Sequence, residues 1–260
     1  MNFSRIKAIY LRYLYVLLKG PQQLSDLFYW PLVDILLWGL ASVWIATQHP
    51  AENLPLMLMT ALILWGIVWR GSVDISVSLL QEFWHRNLVN LFSTPLKLSE
   101  WALGTILLCL GKFIITVSFG ASVVYFLYSL NIFEIGWHFV PFAALLLLFG
   151  WTLGFIAGSM IIYWGHQVES LAWMIGYLFA PFSAVFYPVA ILPIWAQKIA
   201  WSLPTTYIFE GMRKILNHEP LPDGYLWTSL GLSLLYLVLS ICLFRFSFQK
   251  SRIKGLARLE

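Results

Sequence analysis

The chain has 260 residues, of which 60% are apolar and 11% charged. A soluble domain carries roughly 25% charged residues and must show a polar face to water, so these proportions exclude a soluble globular protein. The net charge of +4 is small and scattered, which argues against a nucleic-acid-binding surface and points to the cation asymmetry of a membrane protein.

Residues 1–25 carry Arg5, Lys7, Arg12 and Lys19 among aromatics, without the compact apolar centre and small-residue cleavage site of a signal peptide. Ile6, Ile9, Tyr10, Tyr13, Leu14 and Leu17 recur at helical spacing, so this segment is expected to be an amphipathic helix on the membrane surface, its cations in water. A spanning helix needs about 20 mostly apolar residues. Six segments qualify, at 27–47, 54–80, 101–130, 139–164, 171–189 and 226–246. Within the second, residues 72–78 alternate polar and apolar, a strand pattern in water. A lone strand in lipid leaves its backbone unpaired, so the helical reading is preferred, with the polar residues facing other helices.

Cations set the orientation. Arg5, Lys7, Arg12, Lys19, Arg86, Lys97, Arg245, Lys250, Arg252, Lys254 and Arg258 fall on one side, against Lys198, Arg213 and Lys214 on the other. The positive-inside rule puts both termini in the cytoplasm.

Two connections are unusual. The cytoplasmic one, 82–98, is long enough for a short helix, with Glu82 and Arg86 spaced as a supporting pair, Pro95 as its stop, and Ser99 and Glu100 opening the next span. The external one, 190–225, is rich in proline yet too apolar for an ordinary loop, and is expected to form short re-entrant helices.

Both carry a family resemblance. NLVNLFSTPLKLSEWALG, 87–104, resembles the coupling segment of ABC-2-type transporter permeases, and the external stretch ending PTTYIFEGMR at Arg213 is similar to the closing signature of the same family. The resemblance covers nearly the whole chain as a single domain, 1–260: an all-α integral membrane protein. It implies a homodimer that binds two cytoplasmic ABC ATPase subunits in a bacterial inner membrane and exports an amphipathic or lipid-linked molecule. Gly111-Lys112 is followed by Phe113, not by the Ser or Thr of a phosphate-binding loop, so ATP and Mg are expected in the partner, with no cofactor in this chain.

The resemblance makes 82–98 the ATPase-coupling segment, with Phe83, Trp84, Leu88, Leu91 and Phe92 as apolar anchors and Glu82 and Arg86 as orienting charges. An ordinary interfacial helix is the alternative. Asp34, Arg70, Asp74 and Lys112 fall in or near the membrane, where an unpaired charge costs about 2.5–3.5 kcal/mol on the gentlest scale. Arg70 and Asp74 are spaced to pair along one helix, Lys112 to snorkel, and Asp34 to line a pathway or a dimer seam. Of the 14 tryptophans, most sit at span ends as an aromatic belt, while Trp38, Trp151 and Trp173 lie deeper and are candidates for substrate lining. Pro204, Tyr207, Glu210 and Arg213 are candidates for an external gate. His166 and Glu169 keep open a rival reading, an intramembrane enzyme acting on lipid-linked substrates. A non-transporting anchor for an ATPase is a third.

Overall fold

In a computed structural model, which describes residues 1–48 and 53–253, the N-terminal apolar stripe forms helix α1, Phe3–Lys19. The Asn2 side chain accepts a hydrogen bond from the Ser4 N–H at 3.0 Å, satisfying a first-turn donor. Ile6, Ile9, Tyr13 and Leu17 are buried, but against protein: α1 packs along α5, Leu98–Tyr128. Gly104 permits the approach, since a methyl group there would stand 2.7 Å from the Ile9 side chain. The face expected to rest on lipid is thus largely taken up by the subunit itself.

Among the described residues, five helices are long and apolar enough to cross a bilayer. They are Gln23–Gln48 within α2 (Pro21–Gln48), α3 (Leu54–Trp84), α5, Ile132–Trp164, in which a 3-10 turn leads into α6 (Phe139–Trp164), and α10 (Tyr225–Ile253). In α3 and α6, 78% and 67% of the apolar stretch is buried, against 17–22% in the other three, so α3 and α6 form the centre of the bundle. A short helix α4, Leu88–Ser93, joins α3 to α5. Lys254 and Arg258, counted among the tail cations, lie outside the described residues.

The central pair meets through glycine. A methyl group at Gly150 would stand 2.7 Å from the Val68 carbonyl oxygen, and one at Gly154 would stand 2.8 Å from that of Ser72. Small residues of this kind let helix backbones approach in a membrane, where apolar side chains gain nothing by leaving lipid. The residues that alternate in the sequence sit on this helix. The Ser76 and Ser78 hydroxyls donate back to the Ser72 and Asp74 carbonyls at 2.8 and 2.6 Å, which satisfies them inside the bundle. Gly150→Ala is expected to destabilise the chain by about 1–3 kcal/mol through overpacking against backbone that cannot yield. Gly111→Ala, where a methyl group meets nothing within 4 Å, is the control, and fluorescence-detected thermal melting in detergent reads both.

The predicted fifth span is not a continuous long helix. Helix α7, Leu171–Phe179, runs into a 3-10 turn that ends at Phe182, and the segment Leu171–Phe182 is shorter than a span. At 1.5 Å rise per residue it reaches roughly 18 Å of the ~30 Å hydrocarbon core. Pro181 and Pro188 lack the N–H that a longer helix requires, and Ala184, at φ 52°, turns the chain away. Beyond it stand a 3-10 turn at Val189–Ile191 and two helices, α8 (Ile194–Ala200) and α9 (Pro204–Leu216).

Candidate functional site

Helix periodicity assembles a cavity of about 530 Å³ between α2, α3, α5 and α7. Asp26, Trp30 and Asp34 recur every four residues on one face of α2, and Trp173 and Tyr177 do so on α7. From α3 come Trp69 and Arg70, and from α5 Thr116. The rings of Trp69 and Tyr177 lie 4.3 Å apart and are tilted by 46°. Gly66 also lines the space, and a methyl group there would meet nothing within 4 Å. Of the residues proposed for a pathway or seam, the fold brings Asp34, Arg70 and Trp173 to this cavity. Trp38 instead stacks on Phe186, centroids 4.7 Å apart, and the Trp151 indole N–H points to the Cys109 sulfur at 3.4 Å.

A second, smaller cavity of about 40 Å³ adjoins the first and shares Asp26, Arg70, Val73 and Trp173 with it. Asp74 and Lys112 stand there. Lys112 does not snorkel: its Nζ donates to Asp74 Oδ1 at 2.8 Å, across from α5 to α3. The expected Arg70–Asp74 pair is present but longer, at 3.8 Å, and the Arg70 guanidinium donates to the Asp26 carbonyl oxygen at 2.7 Å. A partner 38 residues away in sequence, on another helix, is what the spacing along α3 does not reveal.

At the end of α3 the expected Glu82–Arg86 pair is absent, because the helix stops at Trp84 and Arg86, at φ 48°, turns outward. Glu82 is buried and accepts from Arg12 at 2.8 Å, from the Tyr13 hydroxyl at 2.9 Å and from the Asn87 amide at 2.7 Å. The Trp101 indole N–H in turn donates to the Tyr13 oxygen at 2.9 Å. Burial, and after it the Glu82 charge, push the Tyr13 hydroxyl far above its usual range, so it remains a donor. Glu100, at the start of α5, accepts from the Lys97 N–H at 3.0 Å and from the Asn2 N–H at 2.8 Å, so the cap lies at Lys97 and not at Ser99. Helix α1 is thereby fastened at both ends of the 82–98 segment.

The anchors divide accordingly. Phe83, Leu88 and Leu91 are buried in the subunit, and Phe92 packs on Phe248 with centroids 4.7 Å apart. Trp84, His85, Arg86, Asn90 and Pro95 are exposed. The Trp84 indole donates to Glu169 at 3.1 Å, while the His166 side chain lies outside the described residues.

The residues expected at an external gate form a clasp. Glu210 accepts from the Val189 N–H at 2.7 Å, and Arg213 donates to the Ala184 and Val185 carbonyls at 2.6 and 3.2 Å, satisfying backbone that the broken α7 leaves open. Tyr207 donates to the Trp201 carbonyl at 2.9 Å, and the Pro204 carbonyl accepts from Ser229 of α10 at 2.9 Å. Burial lowers the Arg213 pKa from its usual value, with Glu210 acting against it. Arg213→Lys is expected to destabilise the chain by about 1.5–3 kcal/mol, because a point ammonium cannot serve both carbonyls and Glu210 as a planar fork does. Limited proteolysis within 183–203 would report the loosening.

A bundle with a buried glycine-packed pair, a connecting turn fastened to an N-terminal helix and a broken helix before the last span defines a multi-pass membrane protein. The family model for the ABC-2 type transporter matches residues 18–217, and the chain belongs to that family. It is therefore the membrane-spanning permease component of an ABC transporter, and membership implies that it works with ABC ATPase subunits. No curated protein matches the chain.

Proposed function

We propose that the chain is one half of an exporter: a homodimer of single-domain subunits in a bacterial cytoplasmic membrane, carrying two ATPase subunits that bind ATP and Mg. Its substrate is an amphipathic or lipid-linked molecule, moved outward by alternating access. Both termini lie on the ATPase side, in keeping with the cation asymmetry. The broken segment 171–189 completes a sixth crossing, with α8 and α9 dipping into the outer leaflet. The exposed apolar residues of α2, among them Leu37, Leu40 and Trp44, are available to lipid or to a second copy.

The observation that carries the reading is the cytoplasmic turn. Trp84, His85, Arg86 and Asn90 are exposed on a base fixed by Glu82, Tyr13 and Arg12. A rigid base is what passes an ATPase's closure into α3 and α5, and an exposed Trp and Arg are the side chains most enriched among binding hot spots. ATP-driven closure then selects between inward- and outward-facing states, and differential affinity for substrate in the two gives direction.

The test is a mild-detergent pull-down of the tagged chain from its native membrane, with mass identification. An ATP-binding cassette subunit at a one-to-one ratio is expected. The double variant Trp84→Ala, Arg86→Ala should lower the recovered ATPase about tenfold, as loss of two hot-spot side chains does. Undiminished recovery removes this docking surface, and a chain that comes down alone in several detergents removes the transporter reading.

A further inference from the structure

The cavity between α2, α3, α5 and α7 has a chemistry of its own. Asp34 lies midway along α2, on a helix long enough to cross the membrane. Its carboxylate lines the cavity and, among the described residues, has no hydrogen-bond or ion-pair partner. The cations around it face another carboxylate, Asp74. Arg70 and Lys112 face Asp74 at 3.8 and 2.8 Å, and Asp26 lines both cavities together with Arg70. Asp26, Asp34 and Asp74 against Arg70 and Lys112 leave one negative charge over; Asp26 adjoins Arg70 in both cavities, whereas Asp34 has no ion pair or hydrogen bond among the described residues. An ionised carboxylate at this depth is costly unless water or a cation meets it.

The walls supply the rest of such a site. Trp30, Trp69, Trp173 and Tyr177 stand around the same space, and aromatic faces attract a cation through their negative quadrupole. Trp30 and Tyr177 are more than half exposed, so the cavity opens between α2 and α7 on the outer surface of the bundle. Ile35, Ile67 and Val117 also line it, and the Thr116 hydroxyl is buried without a partner among the described residues.

We propose that this cavity binds an amphipathic organic cation, its charged head against Asp34 and between the rings of Trp30, Trp69, Trp173 and Tyr177. The assignment rests on the permease reading and narrows its substrate class. A cation with apolar substituents fits a carboxylate that has an aromatic surround and apolar depth, and it reaches the site from the membrane side through the gap between α2 and α7.

Two probes of one shape and opposite charge test it: tetraphenylphosphonium and tetraphenylborate, each bound to the full-length chain in nanodiscs of zwitterionic lipid. Comparing variant with wild type for each probe cancels partition into the lipid. Asp34→Asn is isosteric and removes no internal contact, so it is expected to fold, to weaken the phosphonium about tenfold and to leave the borate no weaker. Gly66→Leu places bulk in the cavity where a methyl group meets no neighbour, and is expected to weaken the phosphonium by a similar factor. Phosphonium binding unchanged in Asp34→Asn overturns the proposal, whether the carboxylate carries a proton, meets a second copy of the chain or faces lipid tails. So does binding that survives Gly66→Leu, which would put the cation elsewhere. The assay needs no ATPase, and the pull-down is scored on the same membranes. Charge-independent binding with the ATPase retained therefore overturns the ligand class alone, and loss of the ATPase overturns the transporter reading.

Discussion

Glu82→Ala is expected to lower the melting temperature of the purified chain by about 6–10 °C, while Arg86→Ala leaves it unchanged, although the sequence spacing treats the two as partners. The difference follows from where the charges stand. Arg86 is exposed and outside the helix, so its loss removes no internal contact. Glu82 is buried and gathers three donors, two from α1 and one from the turn after α3. Arg12 is substantially exposed and contributes little through its charge alone. The larger loss is at Tyr13 and Asn87, whose donors lose the acceptor that holds α1 to the turn. A hydrogen bond to a charged acceptor contributes about 1.5–3 kcal/mol, and the combined loss is set near 3 kcal/mol because the donors share one hub and are not additive. Glu82→Gln keeps the shape and an acceptor for Tyr13, so it should recover about half of the shift. The same series, measured as substrate-stimulated ATP hydrolysis by the assembled complex, is expected to fall with Glu82 while ATPase recovery in the pull-down stays near wild type. A fall in recovery as well would make Glu82 a determinant of docking, and an unshifted melting curve would remove the latch altogether.

The latch also marks what the sequence can and cannot convey. The apolar spacing of α1 and the long runs of α2, α3, α5, α6 and α10 are legible because the demand for about 20 apolar residues acts on each segment by itself. The break in α7 is less so. Composition stays apolar through residue 189, and only Pro181 and Pro188 signal that the backbone cannot continue as helix. Pairings between helices are invisible for a different reason. Lys112 and Asp74, or Tyr13, Glu82 and Trp101, belong to separate helices, and neither periodicity nor charge spacing encodes which faces meet. The candidate cavity lies between these extremes. Asp26, Trp30 and Asp34 share a face by helical geometry alone, as do Trp173 and Tyr177. The spacing makes the two stripes readable, and only the packing of α2 and α7 against α3 and α5 makes them one site. Glu210 and Arg213 teach the converse: a polar pair in a family signature, read as a gate, has its hydrogen bonds occupied by the chain's own backbone.

Asp74→Asn is expected to destabilise the chain more than Lys112→Met, and the double variant to be more stable than Asp74→Asn alone. Asp74 Oδ1 accepts from Lys112 at 2.8 Å and faces Arg70 at 3.8 Å, with all three side chains no more than 15% exposed. Neutralising the carboxylate leaves two cations confronting each other inside the bundle, the situation in which removal of one partner of a buried pair costs about 3–5 kcal/mol. Removing Lys112 leaves Asp74 with Arg70 as its remaining counter-ion, so the expected loss is smaller, about 1–2 kcal/mol. In the double variant Arg70 is alone, but it retains the Asp26 carbonyl and borders the larger cavity, where water can reach it. The two losses are therefore coupled, and a thermodynamic cycle on the melting curves should give an interaction of about 1–3 kcal/mol favouring the double variant over additivity. Additive losses would show that Lys112 and Asp74 do not act on one another, which would undo the cluster as the tie between α3 and α5. A double variant that keeps its melting temperature but loses transport would give the tie a second role. The α3–α5 contact would then be one that must close and reopen during the cycle, and a charged pair can do this without the residual adhesion of two apolar faces, because each partner has an alternative within reach: Arg70 for Asp74, and water of the adjoining cavity for Lys112.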